Sequence, residues 1–270
     1  MLLKTSRGNM YSAVTVNTLE GSQLKWVEGS RFYKVDKYGY ESLAEALVSD
    51  LEGYVEDLPH VDYYHELKIV NGVKKQVCWS ENCIGDDEIE TTFYDVLVKC
   101  GVWGKLQDCN GIDAVNIIVD TVDKYIGKGD CMEYLSKLIF LDAITLNSDR
   151  HLRNMSIVQD SNGDRRFMPI WDNGLCLLAN TRDYPLSTDW KSAMYLVYSQ
   201  PFHSDYIRQC SYFKNCDKLR IRYKDFMEKL DVIESDLDSY LYYGNDAFKR
   251  MCKVLRFRLK KLEGIAWERL

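Results

Sequence analysis

The sequence predicts an α+β protein with two lobes, a small β-rich lobe over residues 1–84 and a larger, mostly helical lobe over residues 85–270. Runs in which apolar and polar residues alternate dominate before residue 80, whereas apolar residues recur every three or four positions after residue 87. The chain has 270 residues, of which 46% are apolar and 28% charged. This is a globular composition, and the length allows two lobes with buried cores.

The N-terminal third is predicted to consist of strands around one helix. Alternation predicts strands over residues 11–16, 25–27 and 31–35. A helix is expected over 40–51, with apolar and acidic side chains on opposite faces: Leu43, Leu47, Val48 and Leu51 against Glu41, Glu45 and Glu52. Two further strands, 63–70 and 73–79, flank Asn71-Gly72, a pair typical of a tight β-hairpin turn.

Helical periodicity dominates the remainder of the chain. Helices are expected over residues 88–100, 111–126, 130–146, 205–213, 218–229, 231–242 and 245–262. A short hairpin interrupts them, with strands at 155–158 and 166–170 joined by a polar turn. A cleft between two such lobes is a common place for a small-molecule site.

Composition and charge exclude several classes of protein. No run approaches the ~20 apolar residues of a membrane span, and the first residues lack the apolar core of a signal peptide. We therefore expect a soluble, cytoplasmic protein, or one exported without a classical signal. A net charge of −6 argues against extensive contact with nucleic acid. Nine cysteines without paired spacing predict reduced thiols rather than a disulfide framework or a zinc site.

Two polar segments frame the short hairpin and carry the chemistry. The first contains Asp149 and Asn154, and the second contains Asp172 and Gly174. Phosphoryl transfer from ATP needs a carboxylate to accept the proton of the attacking hydroxyl, and oxygen ligands for Mg²⁺. The spacing matches the base and the metal ligands of protein kinases. Turn and cap chemistry is the alternative, but both segments emerge at one end of the hairpin, which favours catalysis.

These motifs together resemble a known family. Asp149-Arg150-His151-x-x-Asn154 followed by Asp172-x-Gly174 is similar to the catalytic core of the HipA-like serine/threonine kinases and of the phosphatidylinositol 3- and 4-kinases. Gly21-Ser22-Gln23-Leu24-Lys25-Trp26 resembles the phosphate-binding turn of HipA-like kinases, and Tyr33-Lys34 resembles the strand with their ATP lysine. The segment from Gly39 to Glu45 resembles the helix start of small bacterial members. The resemblance covers residues 18–178 and implies a two-lobed, protein-kinase-like fold.

The resemblance also implies roles for the matched residues. Asp149 would be the catalytic base, Asn154 and Asp172 would bind Mg²⁺, and Lys34 would contact the α- and β-phosphates of ATP. An ordinary surface lysine is the alternative for Lys34. Its glutamate partner is either Glu41 or Glu45, with Glu41 the closer match to the family pattern.

Other residues of the motifs have two interpretations each. Gly21, Ser22 and Gln23 are expected to present backbone amides to phosphate, although a plain hairpin turn also explains them. His151 either donates to the γ-phosphate or is a buried ring that stabilises its loop.

Three further charged residues and the adenine site complete this part of the prediction. Arg150 and Arg153 either steer substrate or are solvated charges, and Asp142 is expected to be structural. Adenine is expected to bind where the lobes join, at residues 80–83.

The predicted function is transfer of the γ-phosphate of ATP to a Ser or Thr hydroxyl of a protein, by a monomer that uses Mg²⁺. Thr18 and Ser22 are candidate autophosphorylation sites because they lie beside the phosphate turn. A phosphoinositide-type lipid kinase is one alternative, and a catalytically weak, nucleotide-binding toxin-like or regulatory protein is another. Some relatives have an antitoxin, which implies an antitoxin or other regulatory partner.

The C-terminal helix combines basic and apolar residues. Seven cations lie between positions 249 and 261: Lys249, Arg250, Lys253, Arg256, Arg258, Lys260 and Lys261. This pattern is typical either of a terminal helix packed on its lobe with a solvated basic face or of a helix that docks on a membrane or a partner. We favour the packed helix.

Overall fold

A computed structural model describes residues 2–4, 10–12, 23–85, 87–235 and 245–270. Its strands are β1 (Leu2–Lys4), β2 (Met10–Ser12), β3 (Lys25–Glu28), β4 (Arg31–Val35), β5 (Tyr64–Val70), β6 (Val73–Glu81), β7 (Ile89–Thr92), β8 (Ser156–Gln159), β9 (Arg165–Phe167), β10 (Leu219–Ile221) and β11 (Trp267–Arg269). Its helices are α1 (Glu41–Glu52), α2 (Phe93–Lys99), α3 (Trp103–Leu106), α4 (Gly111–Ile126), α5 (Cys131–Thr145), α6 (Trp190–Met194), α7 (Tyr206–Ser211), α8 (Tyr223–Ser235) and α9 (Asn245–Leu262).

The N-terminal lobe is built on an antiparallel sheet with strand order β3-β4-β6-β5, and α1 packs against it. The β5–β6 hairpin turns at Asn71 and Gly72, whose φ angles are 52° and 76°. Positive φ at both central residues is what a type I′ turn requires, so the Asn-Gly signal predicts this hairpin correctly. The predicted strand over 11–16 is described only as far as Ser12, where β2 ends.

The C-terminal lobe is mostly helical around α4, α5 and α9, and the helices over 111–126 and 245–262 begin and end where the periodicity predicts. The predicted helix over 88–100 starts later, because Ile89–Thr92 pairs with β8 as strand β7 and the Thr92 hydroxyl caps α2 by accepting from the Asp95 amide. Strand β10, which pairs in parallel with β11, occupies the start of the helix predicted over 218–229. Tertiary pairing thus overrides local periodicity at both places.

Helix α1 belongs to the core of the larger lobe as well as to the N-terminal sheet. Leu43, Leu47 and Leu51 are at most 3% exposed and lie in one hydrophobic cluster with Phe93 and Leu138 of the C-terminal lobe. The acidic residues predicted to lie on its opposite, polar face are buried too: Glu41, Glu45 and Glu52 are at most 4% exposed. That face is turned towards the cleft, and its carboxylates have partners there.

The nine cysteines are all free thiols, and Cys78, Cys131, Cys176, Cys210 and Cys252 are buried. They pack as small apolar side chains, as predicted. No helix in the described part of the chain is long and apolar enough to cross a membrane.

Candidate active site

Lys34 lies at the centre of the cleft between the lobes and is 1% exposed. Its Nζ donates to Glu45 Oε1 at 2.7 Å and to Asp172 Oδ1 at 2.9 Å, and it lies 4.8 Å from the centre of the Tyr63 ring. Three separate elements therefore meet at one ammonium group: β4, α1 and the segment after β9. A surface lysine would have none of these contacts.

Glu45, not Glu41, is the partner of Lys34, which corrects the preference for Glu41 drawn from the sequence. The Glu41 carboxylate instead accepts from the backbone amides of Lys37 at 3.1 Å and Gly39 at 2.9 Å, and from that of Tyr38. It therefore fixes the turn that leads into α1. Glu45 lies one helical turn further on and reaches both Lys34 and, at 2.8 Å through Oε2, the backbone amide of Asn173.

The charges at this point favour an ionised pair. Burial alone would lower the pKa of Lys34, but the negative charges of Asp172 and Glu45 outweigh it and raise that pKa well above its usual value. Burial would likewise raise the pKa of Asp172, but the charges of Lys34 and Lys25 lower it far below its usual range. Lys34 and Asp172 thus stay charged at physiological pH.

The loop after α5 holds the predicted base and one predicted metal ligand. Helix α5 ends at Leu146 with a left-handed φ of 55°, which turns the chain out of the helix. Asn154 Nδ2 donates to the carbonyl oxygen of Asp149 at 2.9 Å, closing the five-residue loop, while the Asp149 side chain is 43% exposed at the cleft. The His151 ring is 35% exposed, with Nε2 4.0 Å from Asp149 Oδ1, so it is a rim residue rather than a buried ring.

Arg150 is neither a steering charge nor a solvated one, because it is completely buried. Its guanidinium forms an ion pair with Asp142, which is therefore structural as predicted, and it also donates to the Trp171 carbonyl at 2.7 Å and to Asn173 Oδ1 at 2.8 Å. It further donates to the carbonyl oxygen of Asn154 at 3.2 Å. One side chain thereby joins the loop after α5 to the segment that follows β9.

The segment Asp172-Asn173-Gly174 is held close to α1. Asp172 has a left-handed φ of 62°, a strained conformation for a residue other than glycine. A Cβ at Gly174 would lie 3.3 Å from Glu41 Cβ and 3.4 Å from Glu45 Oε1, so any other residue there would require α1 to shift by a few tenths of an ångström. Backbone strain and close approach together place the Asp172 carboxylate beside Lys34.

Lys25 is a site residue to which the sequence analysis gave no role. It lies directly opposite Lys34 in the β3–β4 ladder, so both side chains project from the same face of the sheet. Burial lowers the pKa of Lys25, the Asp172 charge raises it, and the Lys34 charge lowers it further, with a net lowering. The spacing could have revealed it, because a tight turn at Gly29-Ser30 places residues 25 and 34 in register.

The sequence analysis also gave no role in the site to Asn173 or Glu52. Asn173 Nδ2 donates to Glu52 Oε1 at 3.1 Å, and burial raises the pKa of Glu52 well above its usual value. Glu52 lies two helical turns after Glu45 and therefore faces the same way. An acidic face that repeats over two turns of a helix next to a catalytic motif is the signal that would have found it.

The remaining predicted positions are only partly described. Gly21 and Ser22 of the predicted phosphate turn, together with Thr18, lie outside the described residues, whereas Gln23 Nε2 donates to the carbonyl oxygen of Val35 at 2.9 Å. Arg153 lies 3.6 Å over the ring of Tyr94, which makes it a surface packing residue.

In the predicted adenine region, a small apolar cluster consists of Val61, Tyr63 and Cys78. Cys83 and Trp171, the residue directly before Asp172, are partly buried and pack against this cluster. Apolar side chains are therefore present near Asp172, as an adenine site requires.

Comparison with known proteins shows the fold. No family model matches the sequence, and no curated protein matches it. A solved structure of the proinflammatory kinase CtkA of Helicobacter pylori aligns with a TM-score of 0.63 at 13% identity, over 94% of this chain and 92% of that one. HipA of Shewanella oneidensis, solved with HipB and operator DNA, aligns with a TM-score of 0.50 at 11% identity, over 92% of this chain and 65% of that one. This chain therefore has the two-lobed fold of the HipA-like kinases.

Proposed function

We propose that the protein is an ATP-dependent kinase that transfers the γ-phosphate to a Ser or Thr hydroxyl of a protein. The observation that carries this proposal is the meeting of Lys34, Glu45 and Asp172 at 2.7 and 2.9 Å in the cleft of a kinase fold. Phosphoryl transfer needs positioned charges more than reactive groups. A buried lysine whose position is fixed by a helix glutamate is a positioned charge of this kind.

Lys34 and Lys25 would hold the phosphate chain of ATP from one face of the sheet. Asp149, exposed at the cleft, would accept the proton of the acceptor hydroxyl as its oxygen attacks the γ-phosphorus and the bond to the β-phosphate oxygen breaks. His151 at the rim would donate to the γ-phosphate. The apolar side chains of Cys83 and Trp171, which pack against one small cluster, would contact the adenine.

Asp172 and Asn154 fit a magnesium site by their chemistry. Both supply oxygen atoms, which Mg²⁺ prefers, and the described residues contain no cluster of three or more His, Cys, Asp or Glu side chains that could hold a metal unaided. Two protein ligands suit an ion that completes its shell with phosphate and water. When bound, Mg²⁺ would neutralise charge on the phosphates.

Residues 1–84 and 85–270 would act as the nucleotide-binding and acceptor-binding lobes, respectively. HipA is solved with HipB, and a regulatory protein partner remains a prediction for this chain. Its position on the molecule is not needed for the proposed chemistry.

The decisive experiment compares Asp149→Asn with Asp164→Asn. Asp164 is an exposed carboxylate at the tip of the β8–β9 hairpin, so the control makes the same chemical change outside the cleft. With γ-labelled ATP, Mg²⁺ and a mixture of cytosolic proteins, wild type and Asp164→Asn should label protein at Ser or Thr, and Asp149→Asn should lose at least 99% of the label, ~3 kcal/mol in the barrier. Labelling of phosphoinositide vesicles instead of protein, or equal labelling by both variants, would refute the proposal.

A further inference from the structure

A basic and aromatic surface lies on the C-terminal lobe beside the catalytic loop. We call it the α6–α9 surface, and its members are Lys249, Lys253, Lys260 and Lys261 of α9, Trp190 of α6, Phe257 of α9, and Tyr195, Leu196 and Tyr198 of the following loop. Tyr195, Leu196 and Tyr198 are 77%, 64% and 57% exposed. Three large apolar side chains so close in sequence and so exposed are unusual on a surface that contacts only water.

The aromatic and basic parts of this surface are continuous. The Trp190 and Phe257 rings pack edge to face, with their centres 5.7 Å apart. Lys261 Nζ lies 5.9 Å from the centre of the Tyr195 ring and 6.0 Å from that of Phe257. Helices α6 and α9 therefore present aromatic and ammonium groups side by side.

The basic part of the α6–α9 surface is a group of exposed lysines on α9. Lys249, Lys253 and Lys260 recur at spacings of four and seven, which places them on one stripe of α9, and all three are exposed. Within the described parts of the chain, none of the surface's four lysines forms an ion pair, whereas Arg256 on the same helix pairs with Asp231 and Glu234 at 2.6 Å each. A chain with a net charge of −6 thus has a stripe of lysines on α9.

This surface is connected directly to the catalytic loop. Gln200 Nε2 donates to the carbonyl oxygen of Ser148, the neighbour of Asp149, at 2.9 Å. The Tyr206 hydroxyl lies 2.8 Å from the carbonyl oxygen of Asn147 and 3.4 Å from that of Tyr198, which ties the same loop to the exposed aromatic residues. A polypeptide that placed a hydroxyl at Asp149 could continue across Tyr198 and Tyr195 to the lysines.

We propose that the α6–α9 surface docks an acidic segment of the acceptor protein, with aromatic or aliphatic residues among its carboxylates. The proposal rests on the proposed kinase function and names the class of protein that the kinase recognises. Carboxylates complement the lysine stripe, and apolar side chains cover Tyr195, Leu196 and Tyr198. A polypeptide fits better than a bilayer, because Gln200 and Tyr206 connect this surface to the loop that contains Asp149, where the acceptor hydroxyl would bind.

The test uses the full chain and two labelled synthetic peptides. Each contains one Ser and, after a Gly-rich spacer, a segment rich in Tyr and Leu with either Glu or Gln between them. The triple variant Lys253→Ser/Lys260→Ser/Lys261→Ser is compared with Lys99→Ser/Lys105→Ser/Lys128→Ser, which removes three exposed lysines from the region of α2 to α4. Fluorescence anisotropy gives the Kd of each peptide, and thermal unfolding confirms that every variant is folded.

The acidic peptide should bind the wild type and the control variant equally, and the triple variant about tenfold more weakly, since three exposed ion pairs with the peptide are lost. The Gln peptide should bind all three proteins weakly, and Tyr195→Ser should weaken the acidic peptide a few-fold. Equal affinity of the acidic peptide for the wild type and the triple variant would overturn the proposal. So would loss of phosphatidylserine vesicle binding in the triple variant with no effect on peptide binding.

Failure of the proposed function would look different. The γ-labelled ATP assay with cytosolic proteins measures transfer without the synthetic peptide, and peptide binding needs no ATP. Transfer that persists while the acidic peptide fails to distinguish the variants overturns docking alone. Absent transfer with intact ATP-independent peptide binding overturns the kinase function and, with it, the docking of an acceptor.

Discussion

Lys34 and Arg150 are two cations buried to the same extent within one site, yet their surroundings differ. Arg150 donates to five acceptor atoms, of Asp142, Asn154, Trp171 and Asn173, and all of its partners are protein atoms in the interior. Lys34 donates to two carboxylates, and the Asp172 side chain is 25% exposed at the cleft. Arg150 therefore has only interior protein atoms as acceptors, whereas solvent reaches one of the two acceptors of Lys34.

The difference indicates that Arg150 shapes the site, whereas Lys34 is proposed to take part in what the site binds. A guanidinium is a rigid fork with five donors, suited to joining several fixed acceptors at once. An ammonium is a compact charge that can exchange one carboxylate for a phosphate oxygen. Arg150 therefore shapes the loops, whereas the contacts of Lys34 fit its proposed role in binding phosphate. Four predictions follow, ordered by expected effect.

Arg150→Ala should produce the largest loss, about 3–5 kcal/mol of unfolding free energy, because it leaves Asp142 charged and unpaired in the interior. Arg150→Lys should recover little, since an ammonium cannot bridge all five acceptors. Urea denaturation measures both. Arg153→Ala, which changes the exposed neighbour stacked on Tyr94, should stay within about 1 kcal/mol of wild type. Similar small losses for both arginines would contradict the structural role of Arg150.

Lys34→Met should abolish phosphate transfer, with a loss of at least about 100-fold, or ~3 kcal/mol in the barrier. Its unfolding free energy should fall by less than that of Arg150→Ala, about 1–2 kcal/mol, because Asp172 remains in contact with solvent and near the Lys25 charge, and Glu45 still accepts from the Asn173 amide. Lys68→Met is the control, since Lys68 is a partly buried lysine paired with Glu28 on the same sheet. Transfer that survives in Lys34→Met would remove Lys34 from the site.

Glu45→Gln and Glu41→Gln should separate two buried glutamates of one helix. Glu45→Gln should lower kcat/KM about tenfold, because it weakens the charge that fixes Lys34. Glu41→Gln should leave kcat/KM within about twofold but cost about 1 kcal/mol of unfolding free energy, since it holds only backbone amides. Steady-state kinetics and urea denaturation test the pair, and a reversed order of effects on kcat/KM would restore Glu41 as the partner of Lys34.

Substitution of Lys25 should have the smallest effect of the four and should change the pH dependence of Mg-ATP binding. Its lowered pKa means that it loses its proton before Lys34 as the pH rises. Protonated Lys25 attracts phosphate, so the Kd of Mg-ATP should rise a few-fold as the pH rises through the lowered pKa of Lys25, before Lys34 loses its proton. Lys25→Met should bind a few-fold more weakly at pH 7.5 and show a flatter profile in titration calorimetry. A profile unchanged by Lys25→Met would assign the titration to another group.

Local chemistry made much of this fold predictable. Asn71-Gly72 demanded a type I′ turn, and the apolar spacing of α4 and α9 defined both helices. The motif that begins at Asp149 and ends at Gly174 predicted which segments meet at the cleft. Each of these signals depends on residues that are close together in the sequence, so the sequence alone is enough to detect it.

The partners within the site were not predictable in the same way. The choice between Glu41 and Glu45 depends on how α1 is rotated against β4, and the burial of Arg150 depends on residues 8 to 23 positions away. Similarly, periodicity places the acidic residues of α1 on a polar face, but the pattern of a single helix cannot show what packs against that face. Such contacts are tertiary. The sequence alone therefore does not distinguish a charged side chain in the interior from one that is exposed to water.

The packing of α1 limits how far this helix can move. Leu43, Leu47 and Leu51 lie in one hydrophobic cluster with residues of the larger lobe, and exposing each of them would cost about 1.5–3 kcal/mol. For all three leucines together, this cost approaches the stability of a whole domain. An outward swing of α1, which would separate Glu45 from Lys34, is therefore strongly disfavoured.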